Sequence, residues 1–288
     1  MRPGGRGYLT MAVGRPRFLE MAVDMTLSLR AHTTYPIALA ADEALAGRAR
    51  ERYADVFDEV TLVSPRFLDG RGRKYGTAES SPYEETTYVD ADCFVLGGLD
   101  HLWASLEHSD LAMVGSQLTA DKDENHHGFS TRWLMGQFAL ERYMKTNSGL
   151  FCFRRSAALE IMEECLDCFL HEARPRLRWR ILLGRWLGDE IAFGIVGGRR
   201  RLGTLPVPSP MYWPQEFAAL DLDAPTKPLL HLIWPPEPHV VDALVEQAGA
   251  RREAAGVPGD AEAHWRDEVR ELQRMARRRR FAERIGLH

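Results

Sequence analysis

Short apolar runs alternate with longer amphipathic ones over the first hundred residues, a pattern that predicts β-α units laid on a mainly parallel sheet. GYLTMAVG (7–14), PIALAAD (36–42) and DEVTLVS (58–64) read as three strands. Between the first two, Phe18, Met21, Ala22, Met25 and Leu29 recur near helical spacing, and Pro16 suits a first helical turn. A second helix is expected over 43–53, after Asp42.

ETTYVDADCFVLGGLDHLWASL (85–106) reads as a strand that breaks at an acidic triplet, then a turn at Gly97 and Gly98, then a helix. DLAMVGS (110–116) and NSGLFCFRR (147–155) give further strands, and SAALEIMEECLDCFLHEA (156–173) a helix with Ser156 as N-cap. Between them, 118–145 loses its periodicity among charges, histidines and aromatics and is expected to be a functional loop. After a basic linker, LGDEIAFGIVGG (187–198) predicts a short helix, RLGTLPVP (201–208) a strand, and PLLHLIW (228–234) one more short apolar run. From about Val240 the chain reads as helical and then strongly basic. The division expected is a catalytic α/β domain over 1–238 and a helical, basic extension over 239–288.

A chain of 288 residues with 45% hydrophobic content can bury a full core, which excludes disordered and fibrous classes. The 37 basic and 41 acidic residues give a net charge of -4, so no general attraction to nucleic acid or anionic membrane is implied. No apolar stretch approaches the roughly 20 residues of a membrane span, and a cytoplasmic protein is expected. Cys165 and Cys168, one helical turn apart without a neighbouring ligand cluster, read as packing residues.

The chemistry concentrates in YVDADCFVL (88–96). Asp90 and Asp92, separated by one residue on an extended backbone, point to the same face, so both can approach one divalent cation. Such an ion keeps open positions for substrate oxygens, and diphosphates are common occupants. The pair follows three β-α units and ends a strand, where ligands bind in open α/β sheets. On the residues alone, His231 reads as a hydrogen-bonded histidine beside an apolar strand and Lys74 as a solvated lysine. In DKDENHHGFSTRW (121–133), adjacent histidines on an extended chain would face opposite ways, so one ion shared by His126 and His127 is not expected.

GYLTMAVGRPRFLEMA (7–22), SPYEETTYVDADCFVLGGLDHLW (81–103), NSGLFCFRRS (147–156) and GDEIAF (188–193) together resemble, in order, blocks of glycosyltransferase family 8, the glycogenin-like and lipopolysaccharide sugar transferases. The resemblance spans roughly 8–236 and implies the GT-A fold, a Rossmann-like mixed sheet flanked by helices. It implies a manganese or magnesium ion on Asp90, Asp92 and His231, and a nucleoside diphosphate sugar donor, by family preference a uridine one. It further places Lys74, Asn147 and Asp189 among the catalytic groups, and Thr10, Ala12, Ser148 and Glu190, with Asp90, around the donor, with Phe18 a weaker candidate. The acceptor implied is a small molecule or glycan, reached with retention of anomeric configuration. HLIWPPEP (231–238) departs from the family in lacking the glycine- and lysine-containing continuation after the late histidine, and Lys227 precedes His231 instead.

Two other readings stay open at this level. A sugar nucleotidyltransferase would open with a longer glycine-rich basic loop than AVGRPRF (12–18), and a catalytically silent nucleotide-sugar binder would keep the fold without turnover. At the far end, Trp265, Val269, Leu272 and Ala276 recur at helical spacing in a segment otherwise charged. This stripe is expected to dock on the catalytic domain or a second subunit, with peripheral membrane contact as the competing use and Arg277 to Arg280 left solvated.

Overall fold

The computed structural model describes residues 5–68, 70–182 and 187–284. Its first half follows the expected β-α order: β1 (Arg6–Ala12), α1 (Pro16–Arg30), β2 (Ile37–Ala41), α2 (Glu43–Arg52) and β3 (Glu59–Leu62). Pro16 opens α1, and the Asp42 carboxylate caps α2 by accepting from Leu45 N at 3.0 Å while also accepting from Gly14 N at 2.6 Å. That one side chain fixes the turn after β1 to the start of α2. A 3-10 segment (Gly70–Gly76) and a single helical turn, α3 (Thr77–Ser80), lead into β4 (Glu85–Val89).

The acidic triplet ends β4, and the chain resumes as β5 (Cys93–Val95) in a different sheet. A 3-10 helix (Asp100–Glu107) stands where an α-helix was expected, and β6 (Leu111–Thr119) follows. The stretch read as a loop over 118–145 is ordered: β6 runs on to Thr119, β7 (Asn125–His126) and β8 (Phe129–Ser130) form a hairpin, and α4 spans Thr131–Phe138. Ser130 caps α4 by accepting from Trp133 N at 3.1 Å, and the helix buries Leu134, Met135 and Phe138. Eight residues give too short a window for the helical period to stand out against the surrounding charges.

β9 (Arg142–Arg154) is longer than the strand read from the sequence. α5 (Arg155–Asp167) starts one residue before Ser156, whose hydroxyl donates to Glu84 instead of capping the helix. α5 continues through a π-helical turn (Cys168–Ala173) into α6 (Arg174–Leu182), so the segment read as a basic linker is helical over 174–182, and 183–186 lie outside the described residues. α7 (Asp189–Arg200), two-residue strands β10 (Gly203–Thr204) and β11 (Met211–Tyr212), β12 (Leu229–His231), α8 (Pro238–Ala254) and α9 (Ala261–Arg284) complete the order.

The central sheet runs β10-β6-β9-β4-β1-β2-β3, parallel except for β9, which is antiparallel to both of its neighbours. Side chains alternate across it. Leu9, Met11, Tyr88, Phe151 and Phe153 pack on the face that also buries Ile191, Phe193 and Cys165 from α7 and α5, whereas Tyr8, Val89, Leu150 and Cys152 pack on the other face with Trp103 and Met25. A second sheet, β11-β12-β5, lies against α1.

α8 and α9 close a further core over α1, in which Leu19, Ala22 and Val23 meet Val240, Leu244, Trp265 and Leu272. The apolar stripe of α9 is thus covered by this chain: Trp265 is fully enclosed, and Val269, Leu272 and Ala276 are buried. Arg277 and Arg278 are exposed, while the side chains of Arg279 and Arg280 lie outside the described residues. At the centre of the junction, buried Asp24 of α1 pairs with the Arg252 guanidinium and bonds His264 Nε2 at 2.6 Å, while Trp265 Nε1 donates to it at 2.7 Å. Arg252 also donates to the carbonyls of Glu20 (2.8 Å) and Pro258 (2.9 Å). Removing one partner of such a pair leaves the other charge buried without compensation, which typically costs about 3–5 kcal/mol. Asp24→Ala is therefore expected to lower the unfolding free energy in urea by about that amount; a midpoint equal to wild type would show that the junction is not held by this charge.

Candidate functional site

The site lies where β4 ends. Asp90 leaves the sheet with its N–H still donating to Gly149 O of β9 at 2.9 Å, and the chain turns at once, Cys93 N donating back to Asp90 O at 3.1 Å. β12 then pairs antiparallel with β5, His231 opposite Cys93, and Leu232 N donates to Asp92 O at 3.1 Å. This register brings together residues more than a hundred positions apart: His231 Nε2 sits 3.2 Å from Asp92 Oδ1 and 3.7 Å from Asp90 Oδ2. Gly149 makes room for the ring, because a Cβ there would fall 2.2 Å from His231 Cε1.

A bulge in β9 supplies the next group. Phe151 pairs with Met113 and Asn147 with Val114, so Ser148, Gly149 and Leu150 have no partner on β6. Such a bulge redirects the strand and re-aims its side chains. Ser148 becomes the junction of the cluster: its Oγ donates to Asp189 Oδ2 at 3.0 Å and accepts from Lys74 Nζ at 2.9 Å, and its N–H donates to Glu190 Oε1 at 2.9 Å. Asp189 and Glu190 open α7, where the helix dipole favours carboxylates. Tyr75 OH donates to the Asp189 carbonyl at 2.9 Å and ties α7 to the segment that carries Lys74.

Lys74 engages all three of its N–H donors within the protein, on Asp90 Oδ2 (2.5 Å), Ser148 Oγ (2.9 Å) and Ser148 O (3.2 Å). Burial alone would lower the pKa of this ammonium, but the carboxylates of Asp90, Asp189 and Glu190 outweigh it and raise the pKa. Burial raises Asp189; Lys74 opposes this, while Glu190 and Asp90 add to it. For Asp92, burial works upward, but His231 and Lys74 prevail and hold the carboxyl below its ordinary value. For His231, burial works downward and the charges of Asp92 and then Asp90 win, so the imidazole is raised. Tyr88, two residues before Asp90 and on the same face of the strand, donates to Asp90 Oδ1 at 2.6 Å.

Two histidines complete the cluster in a way the sequence did not indicate. His127 adopts a left-handed backbone (φ 51°), which undoes the alternation of an extended chain and turns both imidazoles towards Glu190. His127 pairs directly with Glu190 Oε2, and the rings lie 4.6 Å apart. His126 has both nitrogens engaged, Nδ1 with Tyr143 OH at 2.7 Å and Nε2 with Thr146 O at 3.0 Å. Burial, then the neighbouring His127, push it down to about 4, which leaves His126 neutral at pH 7. Glu190 therefore has both oxygens held by protein groups and supports Ser148.

The expected site residues divide accordingly. Lys74, Asp90, Asp92, Ser148, Asp189, Glu190 and His231 form one connected cluster, with Asn147 beside it and its Oδ1 accepting from Gly149 N at 2.8 Å. Thr10 and Ala12 are fully enclosed in β1, the solvent-facing end of that segment beginning at Gly14, and Phe18 is half-buried under the Arg17 guanidinium. Asp90, Asp92 and His231 offer two carboxylates and an imidazole, a combination that would suit a manganese-type dication, and Gly149 leaves the space that the imidazole occupies. The neighbouring Cys93 also stands within reach, since ligand atoms of Asp92, Cys93 and His231 lie within 4.8 Å of one another; burial and then Asp92 raise its thiol well above the ordinary range.

Burial by itself would raise Glu190, but its hydrogen bond and charge contact with His127 prevail and depress it below the ordinary 4.5. A carboxylate with a lower pKa folded than unfolded contributes stability above the unfolded value and loses it as pH falls through the folded one. Glu190→Gln is thus expected to lower Tm at pH 7, with the gap to wild type narrowing progressively as pH falls below the ordinary 4.5; a gap independent of pH would refute an ionised Glu190.

No protein-family model matches the chain, and no curated protein does. Solved structures do. The galactosyltransferase LgtC in complex with donor and acceptor sugar analogues superposes with a TM-score of 0.58 at 13% identity, covering 85% of this chain and 95% of LgtC. GlyE, a glycosyltransferase of Streptococcus pneumoniae TIGR4, gives 0.55 at 12% identity over 91% of this chain and 63% of GlyE. The bifunctional glycosyltransferase WbbM gives 0.55 at 12% over 92% and 51%. This chain therefore spans nearly all of LgtC but only part of the two larger enzymes, and its mixed sheet with flanking helices is the GT-A fold that LgtC has.

Proposed function

We propose that the protein is a metal-dependent glycosyltransferase that moves a sugar from a nucleoside diphosphate, a uridine one on the family resemblance, to a hydroxyl of a small molecule or glycan. One observation carries this reading: Asp90, Asp92 and His231 converge beside Lys74 and Asp189 at the carboxyl end of β4, in a sheet of the GT-A type. Residues 1–238 would carry the reaction, with 239–288 as a helical extension docked through α1. Four buried, unpaired cysteines favour a reducing compartment such as the cytoplasm, and no helix among the described residues is long and apolar enough to cross a membrane.

Manganese or magnesium held by Asp90, Asp92 and His231 would supply positive charge to the departing diphosphate. The imidazole must give up its proton to serve as a ligand, and its raised pKa makes ion binding stronger as pH rises. Lys74 holds Asp90 and Ser148 at a fixed separation, so the ligand face is preorganised before substrate arrives. Asp189, fixed by Ser148, is placed to orient sugar hydroxyls or to stabilise positive charge at the anomeric carbon. Asn147, its oxygen tied to Gly149 N, would present its amide N–H groups to the sugar. Glu190, paired with His127 and accepting from Ser148 N, would act by positioning Ser148. With no dedicated base required, the acceptor proton can pass to the leaving phosphate, as retention of configuration would have it.

Release of nucleoside diphosphate from UDP-sugars, measured with and without manganese, tests the reading. Asp92→Asn is expected to reduce turnover by roughly a hundredfold or more, the scale of losing a preorganised electrostatic group, with circular dichroism unchanged; full activity in the folded variant would exclude the assignment. His231→Ala should weaken manganese binding by isothermal titration about tenfold or more, in line with the loss of one ligand.

A further inference from the structure

A metal-bound nucleoside diphosphate keeps phosphate oxygens that the ion does not reach, and these need fixed cations. The obvious lysines are engaged: all three donors of Lys74 lie on Asp90 and Ser148, and Lys227 is held by Glu216 at 2.7 Å and the Met211 carbonyl at 3.3 Å. A different cation stands at the mouth of β1. Arg17, in the first turn of α1, is mostly buried, stacks over Phe18 at 5.2 Å, and has an Nε that is buried without a hydrogen-bond partner. Its Nη2 contacts Glu271 at 2.5 Å and Glu268 at 3.3 Å, both on α9, and Arg15 reaches Glu271 at 3.2 Å.

Glu268 is an uncomfortable partner. Its carboxylate is buried, and its Oε2 makes no hydrogen bond beyond the ion contact with Arg17. β1 runs parallel beside β4 with Leu9 opposite Tyr88, so the turn that leads to Arg15 and Arg17 leaves the sheet at the same edge as Asp90; burial and then the charge of Asp92 push Glu268 up to about 7. A guanidinium carries five donors in a planar fork suited to phosphate, and the start of a fifteen-residue helix adds a favourable dipole for an anion. The carboxylates of α9 therefore occupy a cation at the sheet edge where β1 and β4 end.

We infer that Arg17, supported by Arg15, is the diphosphate-binding cation of this chain, and that Glu268 and Glu271 of α9 are internal competitors which the diphosphate displaces. The inference rests on the proposed function, since it takes the nucleoside diphosphate as ligand. Competition of this kind lowers apparent affinity by the fraction of molecules in which the cation is occupied. Removing Arg17 and removing its competitors must then act in opposite directions.

Isothermal titration of the full chain with UDP and manganese separates the outcomes. Arg17→Ala is expected to weaken UDP binding roughly ten- to hundredfold, the loss of one or two charge-assisted bonds, while Glu268→Gln and Glu271→Gln each tighten it. Thermal unfolding of each variant reports whether it is folded, and the glutamine variants give a readout if Arg17→Ala is not. UDP affinity unchanged in folded Arg17→Ala, or weakened in both glutamine variants, would overturn the inference. If wild type binds UDP in a manner lost in Asp92→Asn and unaffected at Arg17, only the inference falls. If wild type binds no nucleoside diphosphate in the presence of manganese, the proposed function falls with it.

Discussion

The Lys74 ammonium is the charge on which the candidate site depends. Asp90, Asp189 and Glu190 all act on it, and they come from two different elements, the end of β4 and the start of α7. Carboxylates crowded in a buried space repel one another and are costly to desolvate. One ammonium, bonded to Asp90 and to both oxygens of Ser148, allows the β4 end and the β9 bulge to approach. His127 performs the same service for Glu190 and His231 for Asp92, each at the edge of the cluster. The cluster holds four carboxylates, of Asp90, Asp92, Asp189 and Glu190, against Lys74 and the two edge histidines. It thus retains a surplus of negative charge when Asp189 is ionised, which is the electrostatic setting a dication requires.

Much of this was legible from the sequence, and for identifiable reasons. β1 and β2 are nearly continuous apolar runs because they are covered on both faces, and α1 carries its period plainly over fifteen residues. Asp90 and Asp92 stand out by their spacing, although the extended backbone expected between them is a turn, and Tyr88 stands two residues before Asp90 on the strand itself. The pairing of His231 with Asp92 could be reached only through family resemblance, since it depends on a three-residue strand meeting another three-residue strand.

What stayed hidden was whatever depends on an irregular backbone. The bulge that presents Ser148 has no sequence period, and the positive φ at His127 contradicts the ordinary preference of a non-glycine residue. α4 was lost among charges that its cap and hairpin later explain. The enclosed positions of Thr10 and Ala12 follow from how far β1 extends before it meets solvent, which the pattern of the strand alone does not fix.

The contact between Asp24 and Trp265 has a kinetic meaning as well as a structural one. The two residues are 241 positions apart, and α1 begins only a few residues beyond the end of β1. Closing so long a loop must precede any reward from the contact, which places it among the slow and late events of folding. Until α9 arrives, Asp24 lacks Trp265 and His264, and the first helix keeps part of its apolar face uncovered. A nascent chain therefore covers the apolar face of α1 only after nearly all of the described sequence has been made, which makes incomplete chains natural targets for chaperones and proteases.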